Sequence, residues 1–341
     1  MTPLRHLLLR AFRGAPAAAT VRVLERLADA PRGRYAVLTY HRVDDPSARP
    51  WLYPPLLSAT PSGFEHQLRE VAAHYQPIGL PDLLAAHRGE ASLPRRAVLV
   101  TFDDAYTDFG TTAWPILRQL GIPATLFVPT AYPDAGQPYW WDRLWDAVRR
   151  ADGQTIDTPA GRLQAASAGD RLRAARVLVD FYKRMPHETA MRGVAELVDR
   201  FGAPGMPMES DVLGWDDLRR LSEGGVHVAA HSRTHPLLTQ VDPDRLAAEV
   251  LGSRRDLERE LPGRAYGTVF AYPAGQHNQR TRSALADLGV ELAFTTDRGV
   301  NQVRSDDAYA LRRVNVGLRS RGQLIRAQVA FYTLRYSAGG Q

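Results

Sequence analysis

The segment Ala97-Val98-Leu99-Val100-Thr101-Phe102 is the stretch of this 341-residue chain from which the fold can be inferred. It is a short apolar run, and two adjacent carboxylates, Asp103 and Asp104, follow it directly. Runs of this kind are typical of strands that are buried on both faces, as in a parallel sheet or a barrel. Two acids next to buried apolar residues are costly unless a cation neutralises them, so the end of this strand predicts a polar site.

The rest of the chain repeats the same alternation of apolar runs and helical patterns. The predicted strands cover 36–40, 97–102, 124–128, 226–230, 268–272 and 291–295. The predicted helices cover 63–74, 111–120, 215–223, 243–261 and 279–288, with Ser62, Asp242 and Asn278 as N-caps. Alternating strands and helices with apolar strand faces predict an α/β fold built on a parallel sheet or barrel. Residues 129–210 interrupt the alternation: we expect helices there, no strand, and an insertion on one face.

Composition excludes several classes of protein. The chain has no cysteine, which rules out disulfides, thiolate metal sites and a cysteine nucleophile. Its formal charge is +6, but 42 of the 43 basic residues are arginines spread among acids, and Lys183 is the single lysine. This distribution is typical of a GC-rich genome, and we expect no nucleic-acid partner. Glycine-rich phosphate-binding motifs are absent, so nucleotide binding has no support.

The first thirteen residues combine leucines with Arg5, Arg10 and Arg13. The arginines interrupt the apolar stretch, which makes it a poor signal peptide, and no run in the sequence reaches the eighteen or so apolar residues of a membrane span. We expect an amphipathic helix that caps the domain; a basic helix on an anionic membrane surface is the alternative. A cytoplasmic location, with possible membrane association, is the corresponding expectation.

A second polar cluster, His231-Ser-Arg-Thr-His235, also follows a predicted strand. Two histidines four residues apart can share a metal ion, although alone such a pair is a weak signal. With one carboxylate from Asp103-Asp104 they make three protein ligands and leave a position open for water. The second carboxylate is then free to act as a base, which is the composition of a hydrolytic metal site.

The motifs Thr101-Phe-Asp-Asp104 and His231-Ser-Arg-Thr-His235, with Gly121-Ile-Pro-Ala-Thr-Leu-Phe-Val128 between them, resemble those of the polysaccharide deacetylase (NodB-homology) family. The resemblance covers roughly residues 35–316 apart from the insertion. It implies a distorted (β/α) barrel with fewer than eight strands, and removal of acetyl groups from sugars with a divalent metal, usually zinc, with cobalt, nickel or manganese as alternatives. The chain then divides into an N-terminal segment (1–34), the barrel (35–128 and 211–318), the insertion (129–210) and a C-terminal helix and tail (319–341).

The resemblance also implies roles for individual residues. Asp103 matches the family's catalytic base, and Asp104, His231 and His235 match its metal ligands. The segment Phe270-Ala-Tyr-Pro-Ala-Gly275 lies where the family has its third motif, which makes Ala274 the backbone N–H donor to the oxyanion.

Two departures from the family pattern are informative. Many members have an arginine in the third motif that holds the base, whereas this chain has Ala271, and Arg313 is the candidate substitute. The Leu-x-x-His motif that usually comes last appears near the start, as Leu38-Thr-Tyr-His41. This order resembles the circularly permuted branch, which includes exopolysaccharide and poly-N-acetylglucosamine deacetylases. His41 would be the general acid; a buried structural histidine is the alternative.

Aromatic residues are candidates for contact with a sugar. We expect Tyr139 and Trp140, and Tyr272 in the third motif, to contact the substrate, because aromatic rings stack on sugar faces. Trp141 and Trp145, four residues apart, fit an anchor between the insertion and the barrel. His227 and His277 have no motif support and are interpreted as structural.

The sequence therefore predicts a metal-dependent hydrolase that removes an N-acetyl group from an amino sugar in a polysaccharide, an oligosaccharide or a lipid-linked intermediate. Two alternatives remain. The same site could act on a formyl or O-acetyl group, or the chain could be a carbohydrate-binding protein that has lost catalysis, as Ala271 suggests. Retention of all three ligands and the base favours the enzyme.

Overall fold

The structure is a computed structural model that describes residues 16–28, 32–49, 51–151, 153–201, 210–320 and 322–339. Its strands are β1 Arg34–Tyr40, β2 Arg42–Val43, β3 Leu57–Ala59, β4 Gln76–Ile78, β5 Ala97–Asp103, β6 Thr125–Val128, β7 Thr155–Thr158, β8 Gly161–Gln164, β9 His227–Ala230, β10 Tyr266–Ala271, β11 Leu292–Arg298, β12 Asn301–Gln302 and β13 Leu311–Asn315. Its α-helices are α1 Pro16–Leu27, α2 Pro61–His74, α3 Leu80–Arg88, α4 Trp114–Gln119, α5 Trp140–Arg150, α6 Ala168–Tyr182, α7 His187–Phe201, α8 Trp215–Glu223, α9 Pro243–Glu260, α10 Gln279–Asp287 and α11 Gln323–Gly339.

Seven parallel strands close into a barrel. Their order is β1-β13-β11-β10-β9-β6-β5, and parallel pairing of β5 with β1 closes the ring. The short strand β4 also pairs parallel with β5, and β12 pairs antiparallel with β1. The predicted α/β barrel with fewer than eight strands is confirmed.

Alternation along each strand divides the barrel residues into two apolar clusters. On β1 and β5 the odd-numbered positions, including Val37 and Leu99, belong to one cluster, which also contains Phe127 and Leu311. The even-numbered positions, such as Val100, pack with residues of the surrounding helices. Because side chains of a strand alternate between its faces, the first cluster is the barrel interior.

The inward column of each strand becomes polar at its C-terminal end. On β1, β5, β9 and β13 the inward-facing residues have odd numbers. Further along, the odd-numbered positions include His41 after β1, Asp103 on β5, His231 after β9 and Arg313 on β13. The carboxyl ends of parallel barrel strands lie at one mouth, which is where such folds carry their sites. The strand pattern therefore brings residues from four distant parts of the chain to one place.

Several sequence expectations need correction. Strands β4 and β13 lie outside the predicted set: β4 has only three residues and contains Pro77, and two arginines interrupt the apolar pattern of β13. Helix α2 begins at Pro61, and its N-cap is Thr60 rather than Ser62, because the Thr60 side chain accepts from the Gly63 amide. The predicted helix at 111–120 begins as a π-helical turn, Phe109–Ala113, before α4.

The insertion contains α5, α6 and α7 and also a hairpin, so the expectation that it has no strand is wrong. The hairpin pairs β7 with β8 antiparallel, from Thr155 opposite Gln164 to Thr158 opposite Gly161. Both strands are short and largely polar, and a polar hairpin has no apolar run that could reveal it. The helices share an apolar cluster of their own, which Tyr53 and Tyr106 from the barrel side join.

The two terminal helices pack against each other. The Arg326 guanidinium of α11 donates to Glu25 of α1, and both side chains are buried. The predicted amphipathic helix at residues 1–13 lies outside the described residues. Within the described part of the chain, no helix combines the length and the hydropathy that a membrane crossing requires.

Candidate active site

Strand register places His41 beside Asp103. Tyr40 and Phe102 are paired across β1 and β5, and each of the two polar residues comes next in its chain. The Nε2 atom of His41 lies 4.0 Å from Oδ2 of Asp103. The side chain of His41 keeps 29% of its surface exposed, whereas Asp103 is buried.

Asp103 is held by Arg313 from across the barrel. Nη1 and Nη2 of the guanidinium donate to the two carboxylate oxygens, each at 2.8 Å, and Nε donates to the Thr295 carbonyl at 2.6 Å. Burial alone would raise the pKa of Asp103, but the charge and hydrogen bonds of Arg313 outweigh it and hold that pKa well below its usual range. The bidentate contact fixes the orientation of the carboxylate and keeps it ionised. Arg313, the predicted substitute for the side chain missing at Ala271, thus reaches Asp103 from β13.

Asp104, His231 and His235 converge on a second point. Oδ1 of Asp104 lies 3.5 Å from Nε2 of His231 and 3.4 Å from Nε2 of His235. All three side chains are buried, and their potential ligand atoms lie within 4.8 Å of one another. Oδ1 of Asp104 is buried and has no hydrogen-bond partner, which is rare for a charged oxygen.

The chemistry of this trio fits a divalent metal ion. Nδ1 of His231 lies 2.7 Å from the Ala271 carbonyl oxygen, so Nδ1 carries the proton and the Nε2 lone pair points toward Asp104. Burial lowers the pKa of both histidines, which keeps the imidazoles neutral, the form that binds a metal. Burial and the charge of Asp103 raise the pKa of Asp104, so a nearby positive charge would be needed to keep this carboxylate ionised.

Backbone strain is concentrated at this site. Among described residues other than glycine, eight have a positive φ, and five of them lie in the two motifs, directly after the first motif, or in the third-motif segment. The five are Asp104, Ala105, Ser232, His235 and Ala274. The left-handed conformation at Asp104, with φ of 71°, breaks the alternation of β5, so that adjacent carboxylates both reach the mouth. Such conformations persist where the surrounding structure enforces them, and they cluster at functional sites.

An open cavity of about 790 Å³, including the part open to solvent, contains both groups. Its barrel side includes His41, Asp103, Asp104 and both motif histidines. Ala274 also lines it, within the turn Pro273–Gly275. A concave site that combines apolar side chains with a few convergent polar groups is typical of a small-molecule or sugar site.

The insertion forms the other side of the cavity. Trp140 lines it, as expected for a substrate contact, and Trp141 does so as well, with its ring 4.8 Å from that of His235. Trp141 is thus more than the anchor that its spacing indicated. Trp145 does anchor the insertion, against Tyr53.

The positions of two predicted contact residues call for correction. Tyr139 is fully buried and does not line the cavity. Its hydroxyl donates to the Asp104 carbonyl at 2.7 Å. Tyr272 is also fully buried, and its hydroxyl donates to the Tyr309 carbonyl at 3.0 Å. Both tyrosines fix backbone of the site or its surroundings, and neither faces the cavity. The sequence could not reveal this, because the side-chain direction at a strand end or before a helix depends on tertiary packing.

Other cavity residues had no signal of their own in the sequence. Lys183, His187 and Met191 come from the insertion, Gln240 from a 3-10 turn after β9, and Thr296 from strand β11. None of them belongs to a motif. Only the uniqueness of Lys183 among the basic residues could have drawn attention to it.

The two histidines interpreted as structural lie outside the cavity lining. His227 stacks edge-on against Tyr266 and contacts the amide of Leu80. His277 pairs with Asp297, with 3.0 Å between Nε2 and Oδ2.

Comparisons with known proteins agree with this description. The family model described as polysaccharide deacetylase matches residues 90–160 and 176–293. The poly-β-1,6-N-acetyl-D-glucosamine N-deacetylase of Escherichia coli strain K12 is 25% identical over 270 residues, which cover 79% of this chain and 35% of that protein. The chain therefore spans about a third of the length of the curated relatives that it matches first.

Solved structures share the fold. The deacetylase PplD of Streptococcus pyogenes, in complex with acetate, aligns with a TM-score of 0.59 at 18% identity, over 88% of this chain and 99% of that one. IcaB of Ammonifex degensii aligns with a TM-score of 0.52 at 20% identity, over 89% of this chain and 97% of that one.

Proposed function

The chain belongs to the polysaccharide deacetylase family, and from this premise we propose that it is a metal-dependent hydrolase that removes the N-acetyl group of an amino sugar. One observation carries the proposal. A buried carboxylate–histidine–histidine trio and a separately held, ionised carboxylate open onto the same cavity. A binding protein does not need two adjacent acids with different partners. Metal-dependent hydrolysis does, because one acid serves as a metal ligand and the other as a base.

In this mechanism Asp104, His231 and His235 would hold the metal. A bound divalent ion would supply positive charge that polarises the acetyl carbonyl and lowers the pKa of water. Zinc suits a site with two imidazoles and one carboxylate, and cobalt, nickel and manganese are the alternatives to test.

The remaining residues move protons and stabilise charge. Asp103, oriented by Arg313, takes a proton from the attacking water, whose oxygen adds to the acetyl carbonyl carbon. The backbone N–H of Ala274 donates to the oxyanion that forms. The bond between carbonyl carbon and nitrogen then breaks, His41 gives a proton to the departing nitrogen, and the products are acetate and a free amine.

The role of His41 depends on its surroundings. Burial lowers its pKa to about 4, and the nearby charge of Asp103 opposes that shift. At neutral pH the imidazole of the free protein is therefore mostly neutral. For His41 to act as the acid, negative charge developing on the bound substrate must raise its pKa during turnover.

For the substrate, we propose an N-acetylglucosamine unit, in a polymer, an oligosaccharide or a lipid-linked intermediate. Similarity to a poly-β-1,6-N-acetyl-D-glucosamine N-deacetylase supports this class. Trp140 offers a ring at the cavity wall on which a sugar face can stack. The same geometry can act on a formyl amide or an O-acetyl ester, so the acyl group has to be tested.

The test is acyl release by the purified, zinc-loaded protein from matched substrates. We expect acetate from N-acetylglucosamine oligomers, and less product from the N-formyl and O-acetyl analogues. Protein that binds no metal, or that releases no acetate from any N-acetylated sugar after zinc is added, would overturn the proposal. Faster release from the N-formyl or O-acetyl analogue would reassign the acyl group.

A further inference from the structure

The single lysine of the chain lies at the cavity. Lys183 follows the last residue of α6 in the insertion, and it lines the cavity together with its neighbour Tyr182 and with His187 at the start of α7. Every other basic residue apart from the histidines is an arginine. A lysine differs from arginine by presenting a compact point charge on a flexible stem, which suits a rounded anionic group.

The ammonium group of Lys183 has no partner within the described part of the chain. No hydrogen bond or ion pair within 4 Å involves it, whereas Asp103 at the same cavity is paired with Arg313. The side chain is only partly exposed, and burial lowers its pKa, against the attraction of Asp180 and Asp104. A half-buried cation whose nearest acids lie beyond ion-pair distance is unfavourable, and an incoming anion in direct contact would relieve that cost.

The side of the cavity around Lys183 favours such an anion. Apart from Tyr182 and His187, its neighbours in the wall include Val179, Met185 and Met191, which bring neither charge nor competing donors. The acids among the described lining residues are Asp103 and Asp104, and both come from the barrel. An apolar wall strengthens an ionic contact, since the local dielectric constant is lower than that of water.

We infer that Lys183 binds a negatively charged substituent, a phosphate or a carboxylate, on the same sugar molecule whose acetyl group is cleaved. The preferred substrate is then an anionic N-acetyl sugar rather than a neutral one. That the bound sugar is also deacetylated rests on the proposed function. The anion site itself can be tested by binding alone.

The experiment measures calorimetric binding of N-acetylglucosamine 1-phosphate and of neutral N-acetylglucosamine to the zinc-loaded protein. Lys183→Met removes the charge and keeps an unbranched apolar stem, Lys183→Arg keeps the charge, and Arg184→Met is the matched control. Arg184 is the next residue, is exposed and does not line the cavity. We expect Lys183→Met to weaken binding of the phosphorylated sugar about tenfold or more and that of the neutral sugar less than twofold. Lys183→Arg should retain most of the preference, and Arg184→Met all of it.

The outcomes separate this inference from the proposed function. A preference for the phosphorylated sugar that survives Lys183→Met unchanged would assign the anion to another group, such as the metal, and overturn the inference. Absence of acetate release from every sugar would defeat the proposed function and leave the binding result intact. Comparing the phosphate monoester with an alkyl phosphodiester and with N-acetylmuramic acid then identifies which anion the site prefers, and a preference for any of them that depends on Lys183 supports the site.

Discussion

The two sides of the cavity are built in different ways. On the barrel side, the polar groups follow or end buried strands. The residue-by-residue pairing of neighbouring strands fixes where each of these groups lies. On the insertion side, the lining residues come from helices whose other faces pack in a separate apolar cluster. The barrel therefore supplies groups that need accurate geometry, such as the bidentate Arg313–Asp103 contact. The insertion supplies a wall whose composition can change without disturbing the strands, which fits a role in choosing the substrate.

A network of buried polar groups joins the two sides. The Tyr106 hydroxyl donates to Asp142 at 2.8 Å and accepts from the Trp141 indole N–H at 2.8 Å. The guanidinium of Arg42 lies over the Tyr106 ring and pairs with Asp108. Trp141 in turn contacts the ring of His235, so the insertion supports one of the proposed ligands.

The largest effect should follow from removing a proposed ligand on the barrel side. We expect His235→Ala to lower zinc affinity more than about 100-fold. Even the loss of a residue that only hydrogen-bonds to a metal ligand typically lowers metal affinity about 10- to 100-fold. Metal content after dialysis and acetate release measure the change. The control is His277→Ala, because His277 lies away from the cavity and pairs with the exposed Asp297. This variant should keep the wild-type metal content and rate of acetate release. Equal metal content in the two variants would remove His235 from the site.

A large effect should also follow at the contact that replaces the third-motif arginine. Arg313→Met leaves the buried Asp103 carboxylate without its cation, so the Asp103 pKa rises and the base is protonated up to a higher pH. The acidic limb of the pH–rate profile should therefore move upward by about one to three units. Stability should fall by about 3–5 kcal/mol, as expected for a broken buried pair.

Two variants control this experiment. Arg312→Met removes the neighbouring, more exposed guanidinium of the same strand, and it should leave the acidic limb in place. Arg313→Lys keeps a charge near Asp103 and should shift the limb less than Arg313→Met. An acidic limb that is identical in wild type and Arg313→Met would mean that the limb does not report Asp103.

The smallest effect is expected at the junction between barrel and insertion. Tyr106→Phe leaves the buried Asp142 carboxylate and the Trp141 indole without a shared partner, and it should lower the free energy of unfolding by about 1–3 kcal/mol. Denaturant unfolding measures the change. Tyr40→Phe removes a buried hydroxyl that has no partner, so it should be neutral or slightly stabilising. If both variants lose the same stability, the network does not join the two sides.

The contrast between the two sides also explains what the sequence could predict. The sequence predicts Asp103, Asp104, His231 and His235 because buried strands leave a recognisable apolar run, and the acids or histidines that follow such a run stand out. Arg313 could be suggested only as a substitute, because its strand has a weak apolar pattern. That weakness has a physical cause: one of the two arginines that interrupt the strand, Arg313, points into the barrel toward Asp103.

The insertion wall was predicted less well for a different reason. Trp140, Trp141 and Trp145 are all nearly buried, and helical spacing alone cannot distinguish a residue that packs in a core from one that lines a cavity. The direction of Tyr139 depends on its contact with the Asp104 carbonyl, 35 positions away in sequence. Long-range contacts of this kind leave no local pattern.

The most direct test of the account is Asp103→Asn, with zinc content and acetate release measured on the same folded sample. The account assigns the two adjacent acids different tasks, so this variant should bind zinc as wild type does while acetate release falls about 10²- to 10⁴-fold. Undiminished acetate release from the zinc-loaded variant would contradict the central claim that Asp103 is the base of a metal-dependent deacetylase.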